Sequence, residues 1–141
     1  MSDAVNVLLV EDDLVEQRAL QRAFRARRLP HQLRIAEDGR DALDILRGAG
    51  GQQPLRRPYL ILLDLDLPGM DGFEFLRRLR ADPEHRDAIV FVCTTSREEQ
   101  DRARAYAHHV AGYLVKSDAG EGLSGVAELV ERYSRLVQFP P

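Results

Sequence analysis

The chain has 141 residues, 44% of them hydrophobic and 30% charged, with a formal net charge of −3 at pH 7; this favours one domain with one core and argues against general nucleic-acid binding. Its single cysteine, Cys93, excludes the intramolecular disulfide framework that is typical of small secreted proteins. Because the amino end lacks a basic signal region and no apolar run approaches the roughly 18 residues that span a bilayer, we expect a cytoplasmic protein without membrane contact.

Five short apolar runs predict β-strands, at Val5–Val10, Leu33–Ala36, Tyr59–Leu63, Ile89–Cys93 and Gly112–Val115. Several of these runs are continuously apolar, as in strands that are buried on both faces of a parallel sheet. Amphipathic segments separate the runs, and the last of them predicts a helix over Gly122–Val137. This alternation predicts an α/β fold with helices on both sides of a central parallel sheet.

Local signals mark the ends of some of these elements. Asp71 and Ser96 are each followed three residues later by glutamate, which is the capping-box pattern of a helix start. The Gly- and Pro-rich stretch Gly48–Pro58 predicts a long surface loop before the third strand. We expect residues 1–141 to form a single domain with a short tail at about 138–141 and no effector domain.

Reactive side chains follow the predicted strands, and ligands bind at that edge of an open parallel sheet. The residues found there are Glu11, Asp12, Asp13, Asp64, Thr94, Thr95 and Lys116. Carboxylates that are brought together repel one another unless a cation neutralises them, and hard oxygen ligands suit Mg²⁺. Phosphoryl transfer to Asp64 would use Mg²⁺, Lys116 and the Thr94 hydroxyl to neutralise the equatorial oxygens. The sequence therefore predicts a Mg²⁺-assisted phosphoacceptor site.

Four segments in this order resemble the receiver domain of two-component response regulators, and together they cover nearly the whole chain. They are Leu8–Asp13, Leu62–Gly72, Val92–Ser96 and Gly112–Lys116. The resemblance implies a flavodoxin-like (βα)5 fold, a doubly wound five-stranded parallel sheet with strand order 2-1-3-4-5. It also implies a signalling protein and not an enzyme, which takes its phosphoryl group from a histidine kinase. Because the chain ends soon after the predicted fifth helix, we expect a stand-alone regulator.

The resemblance further implies a role for each residue of the metal site. Asp64 would be the phosphoacceptor and a metal ligand. Asp12 would bind Mg²⁺ directly and Glu11 through water, while Asp66 would offer its backbone carbonyl.

A second group of residues would bind the phosphate and respond to it. Lys116 would pair with the phosphate, and Thr94 and Tyr113 would switch a surface made by helix four, strand five and helix five; Tyr113 could instead be core filler. The sequence departs from the family at Ser117, where most members place a proline after a cis peptide bond. We expect either a strained cis bond or a reshaped trans loop there.

Features outside the site suggest partners. The long loop, the Thr94-Thr95-Ser96 sequence and the tail resemble the single-domain regulators that pair with bacterial phytochrome kinases. In that case three residues of helix one would help recognise the kinase: Leu14, Val15 and Arg18. Helix five and the tail carry a second apolar face, which predicts a homodimer through that face, with extra coverage of the core as the alternative. It comprises Leu129, Leu136 and Phe139.

Two other functions fit part of the sequence. Asp64-Leu65-Asp66 resembles the aspartate pair of haloacid-dehalogenase-like phosphatases, but that pair belongs after a first strand, and Leu67-Pro68 does not continue the pattern. A degenerate receiver could also act as a phosphorylation-independent interaction module. The intact set of acidic residues, threonine and lysine argues against that second alternative.

Overall fold

The computed structural model describes residues 4–141; residues 1–3, at the amino end discussed above, lie outside the described part. The strands are β1 (Asn6–Val10), β2 (Gln32–Ala36), β3 (Tyr59–Leu63), β4 (Ile89–Thr94) and β5 (Gly112–Val115). The helices are α1 (Leu14–Ala26), α2 (Gly39–Arg47), α3 (Gly72–Ala81), α4 (Glu99–Ala107) and α5 (Ser124–Leu136). Neighbouring strands pair in parallel in the order β2-β1-β3-β4-β5, which confirms the predicted doubly wound fold.

The central strand β3 is buried at all five of its positions, because helices cover both faces of the sheet. Alternate side chains of each strand point to opposite faces and so divide the core in two. On one face, Ile61 and Leu63 belong to a cluster that α2 and α3 complete. On the other face, Leu60 and Leu62 belong to a cluster that α1 and α5 complete. This layering places the carboxyl end of β3 at the middle of the sheet edge.

Helix α3 begins where the sequence predicts. The Asp71 side chain accepts a hydrogen bond from the backbone N–H of Glu74 at 2.9 Å, which satisfies one free amide of the first turn. The Glu74 carboxylate binds Arg77 and Arg78.

The predicted start of α4 at Ser96 is wrong, because the helix begins at Glu99. The Ser96 hydroxyl donates to the Asp101 carboxylate at 2.6 Å and accepts the N–H of Glu98 at 3.2 Å. The serine therefore closes a turn before the helix and does not cap it.

Helix α5 begins at Ser124, two residues later than predicted. Gly122 and Leu123 both have φ near 61° and cannot continue a right-handed helix. The predicted loop between α2 and β3 is confirmed, and Leu55 anchors it in the core. Within residues 4–141, no helix is both long and apolar enough to cross a membrane.

Candidate functional site

The carboxyl ends of the parallel strands bring together residues that are far apart in the chain. Val10 is paired with Leu63, so Glu11 and Asp64 leave the sheet side by side. The backbone N–H of Asp64 donates to the carbonyl of Val10 at 3.0 Å, which continues the ladder by one step. Lys116 follows directly after β5 at the same edge.

Three carboxylates form an acidic cluster at this edge, and it consists of Glu11, Glu16 and Asp64. One oxygen from each lies within 4.8 Å of the others. Glu11 and Asp64 are buried, at 3% and 7% exposure, whereas Glu16 is half-buried. Hard carboxylate oxygens at this spacing suit a divalent cation such as Mg²⁺ or Mn²⁺. The donor set therefore fits a divalent metal.

Sequence reasoning missed Glu16. It lies in the first turn of α1, where the cap residue Asp13 accepts the backbone N–H of Val15 at 2.8 Å and of Glu16 at 3.3 Å. An acid in the first turn is common because its negative charge interacts favourably with the helix dipole. The residue type and position of Glu16 therefore did not single it out. Its role depends on which way the helix start faces.

Lys116 is at the centre of the acidic cluster. Its ammonium donates to Glu11 at 2.7 Å and to Asp64 at 3.2 Å, and it also donates to Glu16. Burial lowers the pKa of Lys116, but the hydrogen bonds to Glu11 and Glu16 and the charge of Asp64 outweigh burial. The pKa is raised overall, so Lys116 remains charged at neutral pH.

The same arrangement makes Glu11 a weak acid. Burial, followed by the hydrogen bond with Glu16, raises the pKa of Glu11 to about 8, and Lys116 offsets only part of this effect. One positive charge does not fully neutralise three carboxylates. The site therefore favours an additional cation, whether a proton or a metal ion.

Two residues assigned to the metal by resemblance lie outside the acidic cluster. The side chains of Asp12 and Asp66 are exposed. Asp66 contacts the acceptor through its backbone, because its N–H donates to the Asp64 carboxylate at 3.2 Å. Their roles as metal ligands stay predictions.

The predicted switch residues flank the loop between β4 and α4. Thr94, at the end of β4, is 1% exposed, and Tyr113 in β5 is half-buried. The Tyr113 hydroxyl donates to the backbone carbonyl of Ser96 at 3.0 Å. Ser96 lies two residues after Thr94, so this hydrogen bond links Tyr113 to the loop that follows Thr94.

The loop after Lys116 is the reshaped trans loop of the two possibilities expected from Ser117. Among the described residues the cis peptide bond is at Arg57-Pro58, and Lys116–Asp118 forms a single 3₁₀ turn. Arg97 donates to the Ser117 hydroxyl at 2.9 Å and to the Asp118 carboxylate at 2.6 Å. The loops after β4 and β5 are thus linked next to the site.

The predicted partner surfaces differ in exposure. Leu14 and Val15 are exposed at the start of α1, beside the acidic cluster, and Arg18 is exposed as well. Leu136 is 79% exposed. The other two residues of the predicted dimer face, Leu129 and Phe139, pack against the core cluster that includes α1 and α5. For these two residues the geometry favours coverage of the core.

A doubly wound sheet with a buried aspartate, a lysine and further carboxylates at its carboxyl edge is the kind of domain whose site suits phosphoryl chemistry. The sequence pattern of the response regulator receiver domain matches residues 7–127. The chain therefore belongs to the response-regulator receiver family, which implies a sensor histidine kinase as its partner. The phosphatase alternative is not favoured.

Two relatives match this chain almost end to end. Response regulator Rcp1 of Synechocystis sp. is 36% identical over 137 residues, covering 94% of this chain and 93% of Rcp1. The crystal structure of the Mn²⁺-bound form of Rcp1 has a TM-score of 0.85 at 34% identity and covers 97% of this chain and 99% of that one. The phosphorylated cyanobacterial phytochrome response regulator RcpA has a TM-score of 0.87 at 33% identity, covering 98% and 99%.

Proposed function

We propose that this receiver accepts a phosphoryl group on Asp64 from a sensor histidine kinase in a Mg²⁺-dependent reaction. The observation that carries the proposal is the contact between the Lys116 ammonium and the Asp64 carboxylate, 3.2 Å apart, with both side chains 9% exposed. A carboxylate buried at the end of a strand costs stability unless it is paired, and a fixed cation beside it is also the partner that phosphoryl transfer requires.

The chemistry follows from this geometry. An oxygen of the Asp64 carboxylate attacks the phosphorus of a phosphohistidine, the P–N bond breaks, and the imidazole nitrogen keeps the electron pair. Lys116 neutralises one equatorial oxygen, and the Thr94 hydroxyl donates to another. In hydrolysis, water attacks the phosphorus and the P–O bond to Asp64 breaks. Inorganic phosphate leaves, and Asp64 is again a free carboxylate.

Glu11 and Asp64 of the acidic cluster would hold the Mg²⁺, with Asp12 and the Asp66 carbonyl as the family resemblance implies. When bound, the ion neutralises charge on the phosphoryl oxygens and on the carboxylates themselves. The Mn²⁺-bound structure of the relative Rcp1 supports the binding of a divalent ion.

The output would pass through Thr94 and Tyr113. Movement of Thr94 toward the phosphoryl group would shift the loop that contains Ser96, whose carbonyl accepts the Tyr113 hydroxyl. This would change the surface formed by α4, β5 and α5. We expect a homodimer through α5, with the exposed Leu136 at its centre and with Leu129 and Phe139 supporting that face from the core side.

The kinase partner would be a phytochrome. Support comes from RcpA, a phytochrome response regulator that matches along 98% of this chain. The exposed Leu14 and Val15, with Arg18, lie at the start of α1 next to the acceptor and form a surface of suitable position for docking. Light would then be the upstream signal.

The test is mass spectrometry after incubation with acetyl phosphate, with and without Mg²⁺. A phosphate adduct that needs Mg²⁺ and disappears in Asp64→Asn is expected. Asp87→Asn, which alters an exposed aspartate just before β4 at the opposite edge of the sheet, is the matched control and should retain labelling. An adduct that persists in Asp64→Asn would place the acceptor elsewhere, and unlabelled wild type would leave the receiver as an interaction module.

A further inference from the structure

The Lys116 ammonium has no free donor in this structure. An ammonium carries three N–H bonds and no acceptor, and the three hydrogen bonds of Lys116 go to the three members of the acidic cluster. The Lys116 side chain is 9% exposed, so it is well packed in this position. A phosphoryl oxygen can therefore bind Lys116 only if one carboxylate releases it.

The three carboxylates differ in how easily they can release the Lys116 ammonium. The side chains of Glu11 and Asp64 are 4% and 9% exposed, so little water could replace the contact with Lys116 if either one released it. The Glu16 side chain is 28% exposed, and water can replace the lost contact. Asp64 must also remain beside the phosphoryl group that it carries. Glu16 is thus the partner that is exchanged.

We propose that Glu16 is a positioning residue that holds Lys116 before phosphorylation and is displaced from it by the phosphoryl group. This inference rests on the proposed function of Asp64. The capped first turn of α1 fixes the backbone of Glu16, and its carboxylate competes with the incoming group for the same N–H donor. Its negative charge also repels an anionic phosphodonor. Glu16 therefore slows phosphorylation of the resting protein.

The test compares rate constants for labelling by acetyl phosphate at saturating Mg²⁺. Glu16→Gln keeps the shape of the side chain and removes its charge, and we expect labelling to become several-fold faster; Glu16→Ala should show the same direction. Glu37→Gln removes an exposed carboxylate after β2 at the same sheet edge and is the matched control, with an unchanged rate. Equal or slower labelling of both Glu16 variants would overturn the proposal, as would equal acceleration by Glu37→Gln.

A double-mutant cycle separates an effect through Lys116 from a general effect of charge. The apparent dissociation constant of beryllium trifluoride, a phosphoryl mimic, is measured by fluorine NMR for wild type, Glu16→Gln, Lys116→Ala and the double variant. Glu16→Gln should tighten binding more when Lys116 is present than when it is absent. An equal effect in both backgrounds would contradict the proposal. Failure of the proposed function looks different, since wild type would then show no Asp64-dependent adduct.

Discussion

Lys116 and Asp64 are 52 residues apart in the chain, yet the ammonium of one lies 3.2 Å from the carboxylate of the other. Both follow strands of one parallel sheet, β5 and β3, whose carboxyl ends meet at the same edge. The pair is enclosed by two further acids, Glu11 and Glu16. This enclosure makes the stability of the fold depend on the charge state of the site.

Lys116→Met should destabilise the metal-free protein, because it leaves the acidic cluster without its cation. We expect a loss of about 2 kcal/mol in the free energy of unfolding, less than for a fully buried pair because Glu11 can take up a proton. Urea denaturation in the presence of a chelator measures this loss. Arg132→Met breaks an exposed pair with Glu128 and should cost about 0.5 kcal/mol or less. Equal losses in the two variants would show that Lys116 is not the neutralising charge.

Stability should depend on pH through Glu11. Its pKa is raised from 4.5 to about 8 on folding, so between these values the folded state binds a proton that the unfolded state lacks. The stabilisation is complete below the unfolded pKa and is lost as the pH rises through the folded one. The free energy of unfolding of wild type relative to Glu11→Gln, measured without metal from about pH 6 to about pH 9, should therefore fall. A flat difference would place the proton elsewhere.

Mg²⁺ should reverse the loss of stability at high pH, since a metal ion competes with the proton on Glu11. The increase in melting temperature on adding Mg²⁺ should be larger at about pH 9 than at about pH 6 in wild type. In Glu11→Gln the increase should be smaller and less dependent on pH. A pH-independent increase in wild type would remove Glu11 from the metal site.

Gly72→Ala should disturb the position of Asp64, although Gly72 itself is not part of the site. A Cβ at Gly72 would lie 2.6 Å from the Cα of Leu65 and 2.8 Å from the carbonyl oxygen of Asp64, both in backbone that cannot easily move. We expect a loss of about 2 kcal/mol in stability and slower labelling of Asp64. In Gly39→Ala the added Cβ meets first the flexible side chain of Met70, so that variant is the milder control. Unchanged labelling in Gly72→Ala would show that this contact does not position the acceptor.

Sedimentation velocity should show which of the two exposed apolar surfaces, that of Leu136 on α5 or that of Val15 on α1, forms the dimer. Leu136→Asp is expected to yield monomers, because a buried carboxylate would disrupt an interface centred on that residue. Val15→Asp changes a residue of comparable exposure at the start of α1 and should leave the oligomer intact. The reverse pattern would move the interface to α1, and no change in either variant would exclude both surfaces.

Much of the fold could be predicted because the relevant signals are local. The continuous apolar run of β3 indicated a strand buried on both faces, and alternation with amphipathic segments indicated the parallel sheet. The loop at Gly48–Pro58 followed from its glycines and prolines, and the cap at Asp71 was correct. The cap at Ser96 was wrong because its hydroxyl accepts the N–H of Glu98 and donates to the Asp101 carboxylate in a turn before the helix, contacts that the capping-box spacing does not reveal.

The sequence alone determined the strand order, through the family resemblance, and the set of residues at the sheet edge, since each strand end places its next residue there. Only the tertiary structure decided which charges meet. Glu16 reaches Lys116 across 100 residues because the start of α1 is turned toward β5, and the same docking packs Leu129 and Phe139 on the core while Leu136 faces solvent. Local patterns determine which face of a helix is apolar, but the rotation and position of that helix depend on packing against every neighbouring element.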